Sequence, residues 1–133
     1  MTTAPPFLAW TDGASLDNPG EAGLGFVLIS PEGVRREGYQ GLGKATNNVA
    51  ELTAILRVAE ITPDGARLEL HTDSKYAIGV VQDGWKASKN IELIASVRAA
   101  LARLEAWTLV WVKAHASEIE NIVADKLSVL AAQ

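Results

Sequence analysis

From residue 47 onward the chain alternates between two periodicities, and that alternation limits the folds open to it. The segment NNVAELTAILRVAEI places Val49, Leu52, Leu56 and Ala59 at helical spacing over about 14 residues, and TPDG stops it. The strand-like ARLELHT follows, then helical SKYAIGVV, the loop QDGWKASKN, a helix over IELIASVRAALARL, the strand-like WTLVWV and a last helix, NIVADKLSVLAA. A strand joined to the next strand through a helix is the crossover that parallel pairing requires, since no tight turn reaches a parallel neighbour. Upstream, FLAWT, GLGFVLIS and RREGYQG are short strand-like runs punctuated by Gly, Pro and Asp, the pattern of an antiparallel meander. The two halves together predict an α/β fold: a mixed sheet with helices packed on it. No internal repeat or linker interrupts the pattern, so residues 1–133 read as one domain, with 1–6 a flexible N-terminal tail.

Two of the predicted strands close on the same pair of residues. Asp12 ends the first in FLAWTDGASLDNPG and Asp73 ends the fourth in LELHTDSKYA. A right-handed crossover lays these strands side by side with both carboxylates at their carboxyl ends. Neighbouring strands are about 4.8 Å apart, and carboxylates that close repel unless a proton or a cation lies between them. A hard, oxygen-ligated cation such as Mg²⁺ suits the position. Glu51, in the first turn of the helix opened by TNNVAEL, and Asp125, on the polar side of the last helix one turn beyond Asn121, complete a candidate cluster. Each acid also has a simpler reading. Asn48 to Glu51 fits a capping box, Asp73 fits a cap for a helix starting at Ser74, Asp12-Gly13 fits a turn, and Asp125 fits a solvated surface. Singly the simpler readings are favoured; chemistry needs all four together.

Composition narrows the setting. Twelve Lys and Arg against sixteen Asp and Glu give a net charge of −4, so a polyanionic partner must be held by a local patch or through metal ions. Absence of cysteine excludes thiolate chemistry and cysteine-ligated zinc. The opening MTTAPPF lacks a charged region and a long apolar core, and no apolar run approaches the roughly 20 residues of a spanning helix, so a cytoplasmic protein without membrane association is expected.

In their local sequence the acids resemble a known set. TDGASLDNPGEAGLGFVL, ATNNVAELTAIL, LHTDSKYA and WVKAHASEIENIVADKLSVLAA are similar, in order and spacing, to the motifs of type 1 ribonuclease H, and the likeness runs from Leu8 to Ala132. The resemblance implies the ribonuclease H-like fold, a five-stranded mixed sheet of three antiparallel strands then two parallel, flanked by helices. It also implies a metal-dependent endonuclease that cuts the RNA strand of RNA/DNA hybrids, leaving 3′-hydroxyl and 5′-phosphate ends. Asp12, Glu51, Asp73 and Asp125 then become ligands of two Mg²⁺ ions, with Mn²⁺ an alternative, and no protein nucleophile is needed. His115 matches the loop histidine that moves protons or helps release product. Asn18, Asn47 and Asn48 match contacts to the RNA strand in the minor groove. Thr46 and Asn90 match a pocket for a DNA-strand phosphate, and Trp85 and Lys86 a surface that packs on that strand. A monomer is expected.

The chain departs from the better-known bacterial pattern in two places. Between Tyr76 and Asn90 there is no room for an extra helix and basic protrusion, and the loop after His115 reads ASEIEN where glycine and proline are common. Few basic residues, chiefly Lys75, Lys86, Lys89 and Lys113, remain to face a groove. His71, Trp107 and Trp111 read as packed strand residues. A phosphate-accepting signalling domain also carries acids at strand ends, but on an all-parallel sheet that does not open with hairpins. A silent hybrid-binding module of the same fold would be expected to lose a carboxylate, and this chain keeps all four.

Overall fold

The computed structural model describes residues 4–113 and 119–133. Strands β1 (Phe7–Ser15), β2 (Gly20–Ile29) and β3 (Arg35–Ala45) are followed by helix α1 (Asn47–Ile61), β4 (Arg67–Thr72), α2 (Lys75–Val81), α3 (Ile91–Ala102), β5 (Ala106–Trp111) and α4 (Ile119–Ala132). They form one five-stranded sheet in the order β3-β2-β1-β4-β5, with β1, β2 and β3 antiparallel and β4 and β5 parallel to β1. The mixed sheet read from the alternation is therefore present, and no helix interrupts residues 82–90, where the basic protrusion has no room.

Side chains alternating along each strand divide the interior in two. Ala9, Leu28, Leu68, Leu70 and Leu109 face α1, α2 and α3, where Leu52, Ile55, Val58, Val97 and Leu101 close the larger core. On the opposite face Trp10 and Val27 meet Ala124 of α4. That second contact is intimate: a Cβ on Gly25 would lie 2.4 Å from the Ala124 carbonyl oxygen, so only glycine lets α4 settle on β2. The exposed edge of β5 is covered by Gln82, whose amide donates to the Leu109 carbonyl (3.1 Å) and accepts from its N–H (2.8 Å), as a paired strand would. Arg103 donates to the carbonyls of Ala59 and Thr62 and so satisfies the end of α1.

Several expectations need correction. β1 does not stop at Asp12: its parallel pairing with β4 ends at Trp10↔His71, but its antiparallel pairing with β2 continues through Asp12↔Gly25 to Ser15↔Ala22. β3 extends beyond RREGYQG to Ala45, because the pairing with β2 survives a register shift between Ala22 and Gly23. Trp111 is not core. It is 46% exposed at the end of β5, with the Lys75 ammonium 4.7 Å from its ring centroid. Trp107 and His71 are packed as expected, Trp107 against the larger core and His71 stacked on Trp10 at 4.8 Å. Among the described residues, no helix is long and apolar enough to cross a membrane.

Candidate active site

The β1–β4 register, continued by two residues, brings Asp12 level with Asp73 at the end of the sheet where β4 gives way to α2. Glu51 reaches the same point from α1 because of Gly13. A Cβ there would lie 2.5 Å from both the Ala50 carbonyl carbon and the Glu51 nitrogen, so glycine lets the helix lie directly on the strand. The Gly13 N–H donates to Glu51 Oε1 at 2.7 Å, and the Thr72 hydroxyl approaches Glu51 Oε2 at 3.4 Å. Ligand oxygens from Asp12, Glu51 and Asp73 all lie within 4.8 Å of one another. Asp125, from α4, closes the opposite wall and shares a hydrogen bond with Asp12. A cleft lined by these four acids, Ser15, Asn47 and Ser74 opens to solvent above them.

The simpler readings of three of the acids do not hold. The N-cap of α1 is Thr46, whose hydroxyl accepts from the Val49 N–H at 3.1 Å, and Glu51 lies in the second turn with its carboxylate turned into the cleft. The N-cap of α2 is Ser74, which leaves Asp73 one residue outside the helix. Asp12 and Gly13 sit within a strand rather than a turn.

Burial gives this cluster its electrostatic character. Asp12 is 5% exposed and Glu51 6% exposed. Desolvation first, then the charges of Glu51 and Asp73, push the Asp12 carboxyl up to about 11. Desolvation likewise raises Glu51 to about 7, opposed by its hydrogen bonds to Asp12 and to the Gly13 N–H. Without a cation the pair therefore holds a proton at neutral pH. The donors are hard carboxylate oxygens that can release that proton to a divalent cation, and so they fit such an ion.

The other candidates fall into two regions. Next to the acids, Asn18 and Asn47 belong to one hydrogen-bonded unit: Asn18 Oδ1 accepts from the Asn47 N–H (3.0 Å), and Asn47 Oδ1 accepts from the Ser15 N–H (2.7 Å). Asn18 holds φ at 31°, which suits asparagine. Thr46 and Asn48 are exposed beside them. Trp85, Lys86 and Asn90 lie instead on the loop between α2 and α3. The Trp85 ring covers Gly79, where a Cβ would lie 2.2 Å from ring carbons, and Asn90 donates to the Tyr76 hydroxyl at 3.1 Å. His115 lies outside the described residues.

Sequence reasoning missed Asn121 as a lining residue. It is 1% exposed in α4, lines the site with Asp12, Asp73, Ile122 and Asp125, and its Oδ1 has no hydrogen-bond partner among the described residues. Its place one helical turn before Asp125 is the signal that was available.

The family profile described as RNase H matches residues 5–133. The chain belongs to the ribonuclease H family. It is 39% identical over 136 residues to a ribonuclease H of Methylorubrum extorquens, covering 92% of this chain and 58% of that longer protein. To a ribonuclease H of Caulobacter it is 38% identical over 138 residues, covering 93% and 88%. Among solved structures, RNase H1 from the halophilic archaeon Halobacterium salinarum superposes with a TM-score of 0.82 at 30% identity, covering 96% of this chain and 97% of that one. LC11-RNase H1, solved in complex with an RNA/DNA hybrid, superposes with a TM-score of 0.80 at 26% identity, covering 94% and 95%.

Proposed function

We propose that this ribonuclease H-family chain hydrolyses the RNA strand of RNA/DNA hybrids endonucleolytically, leaving 3′-hydroxyl and 5′-phosphate ends. The observation that carries the reading is the convergence of Asp12, Glu51 and Asp73 oxygens within 4.8 Å, from within β1, from α1 and from the end of β4, at the floor of an open cleft. The family match and a structural neighbour solved with a hybrid support the substrate class.

In this reading Asp12, Glu51, Asp73 and Asp125 hold two Mg²⁺ ions, with Mn²⁺ as substitute. When bound, such a pair activates a water opposite the scissile bond and stabilises the leaving oxygen. The protein's part is orientation and charge. Four carboxylates neutralise two dications, so the site need not repel the incoming phosphate. Asp12 is central because it lies between Glu51 and Asp125, and the Gly13 N–H fixes which oxygen of Glu51 faces inward. Asn18 and Asn47, held to each other and to Ser15, present a rigid polar rim suited to the 2′-hydroxyls and base edges of the RNA strand, and Asn48 extends it. Thr46 and Asn90 would take a DNA-strand phosphate, Trp85 and Lys86 would pack on that strand, and His115 would move protons at product release.

End-labelled RNA/DNA hybrid, duplex RNA and duplex DNA, each incubated with Mg²⁺ or with EDTA, test the proposal. Cleavage of only the RNA in the hybrid, and only with Mg²⁺, is expected. Cleavage in EDTA, or equal cutting of duplex DNA, would refute it.

A further inference from the structure

Thr72 is wholly buried at the end of β4, between Glu51 and Asp73 and outside every assignment made above. Its hydroxyl does two things at once. It points its proton at Glu51 Oε2 (3.4 Å) and accepts the Ser74 N–H (3.1 Å). The second contact is a side-chain turn that spans Asp73, so it sets the backbone from which that carboxylate projects. The first completes a grip on Glu51 from both neighbouring strands, since the Gly13 N–H of β1 already holds Oε1 at 2.7 Å. A single hydroxyl therefore links two acids carried by different elements. With the Ser74 N–H arriving from one side, the lone hydroxyl proton is left for the carboxylate.

We infer that Thr72 is a positioning residue for the metal site: its hydroxyl sets the orientation of Glu51 and Asp73 and thereby the affinity for the divalent cation, without touching substrate. The inference rests on the metal-binding reading of the acids. Partners that orient metal ligands contribute about 10- to 100-fold to affinity, and one shared hydroxyl at a 3.4 Å contact belongs at the low end.

Thr72→Val keeps shape and β-branching while removing the hydroxyl, and Thr72→Ala removes it without adding a methyl to a filled space. The test is a Mg²⁺ titration followed by thermal melting of the protein alone, beside a Mg²⁺ titration of hybrid cleavage. Both variants are expected to need about tenfold more Mg²⁺ for half of the thermal shift and for half-maximal turnover, with the Michaelis constant for the hybrid at saturating Mg²⁺ changed less than about twofold. Thr72→Ser, which keeps the hydroxyl, is expected to return both midpoints to the native value. Unchanged Mg²⁺ midpoints in the valine and alanine variants overturn the inference. So does a rise in the Michaelis constant at saturating Mg²⁺ in place of a shifted midpoint. A native protein whose melting does not respond to Mg²⁺ at all would instead sink the metal-binding reading itself, an outcome visible before any variant is made.

Discussion

Replacing Asp12 by asparagine should stabilise the metal-free protein at neutral pH while destroying its activity. Asp12 is raised far above the ordinary carboxylate range, so the folded state keeps a proton that the unfolded chain loses above about pH 4. The stability linked to that proton is complete below pH 4 and is lost as pH rises toward the folded value. One retained proton costs about 1.4 kcal/mol per pH unit, so three units from pH 4 to pH 7 set a ceiling of about 4 kcal/mol. The cleft is open at Asp73, where solvent eases part of the desolvation and screens part of the repulsion, and about 2 kcal/mol is the expected gain on replacing the proton-retaining carboxyl by a group that does not titrate. For a chain of this size that is roughly 6 °C in melting temperature. Melting curves of native and Asp12→Asn protein in EDTA at pH 4, 5.5, 7 and 8.5 measure it. The difference should vanish at pH 4, where the native carboxyl is protonated and nearly isosteric with the amide, and widen with pH. Mg²⁺ should raise the native melting temperature at pH 7 and 8.5 far more than at pH 5.5, because it must displace the proton. An Asp12→Asn protein less stable than native at pH 7 in EDTA, or a difference indifferent to pH, would refute the account of a repulsive buried cluster.

Glu51→Gln and Asp73→Asn should each lower turnover by more than about a hundredfold with the far-ultraviolet circular dichroism intact, since an amide keeps the shape and loses the charge that holds a cation. Asn121→Leu removes a buried amide whose oxygen has no partner among the described residues, so stability should hold or rise by about 1 kcal/mol in chemical denaturation, while turnover falls. Lys86→Ala with Lys89→Ala should flatten the log-log salt dependence of hybrid binding, measured in Ca²⁺ to suppress cleavage, by about 1.5. In the same series Trp85→Ala should weaken binding with little change of slope, because the exposed ring contributes contact rather than charge.

How much of this was legible in the sequence depends on the range of the interaction that decides each feature. The mixed sheet and the adjacency of β1 and β4 were readable because periodicity is local and crossover handedness leaves few alternatives, while the five-stranded arrangement came from the family resemblance; each helix and strand lies within a few residues of its expected place. Cluster membership was readable from the repeated Thr-Asp only once β1 and β4 were set side by side. What escaped was decided by neighbours remote in the chain. The strand β1 outruns its own apolar pattern because β2 keeps pairing with it, and Trp111 stays exposed because it ends an edge strand with Lys75 over its ring. Glu51 is the sharpest case. Its spacing from Asn48 matched a local cap, yet Thr46 is the cap, and a glycine 38 residues away brings the helix onto the strand and donates to the carboxylate. The local rule failed where a carboxyl side chain is buried at a cost that a remote backbone N–H helps to offset, and a glycine inside a strand was the mark the sequence carried of that approach.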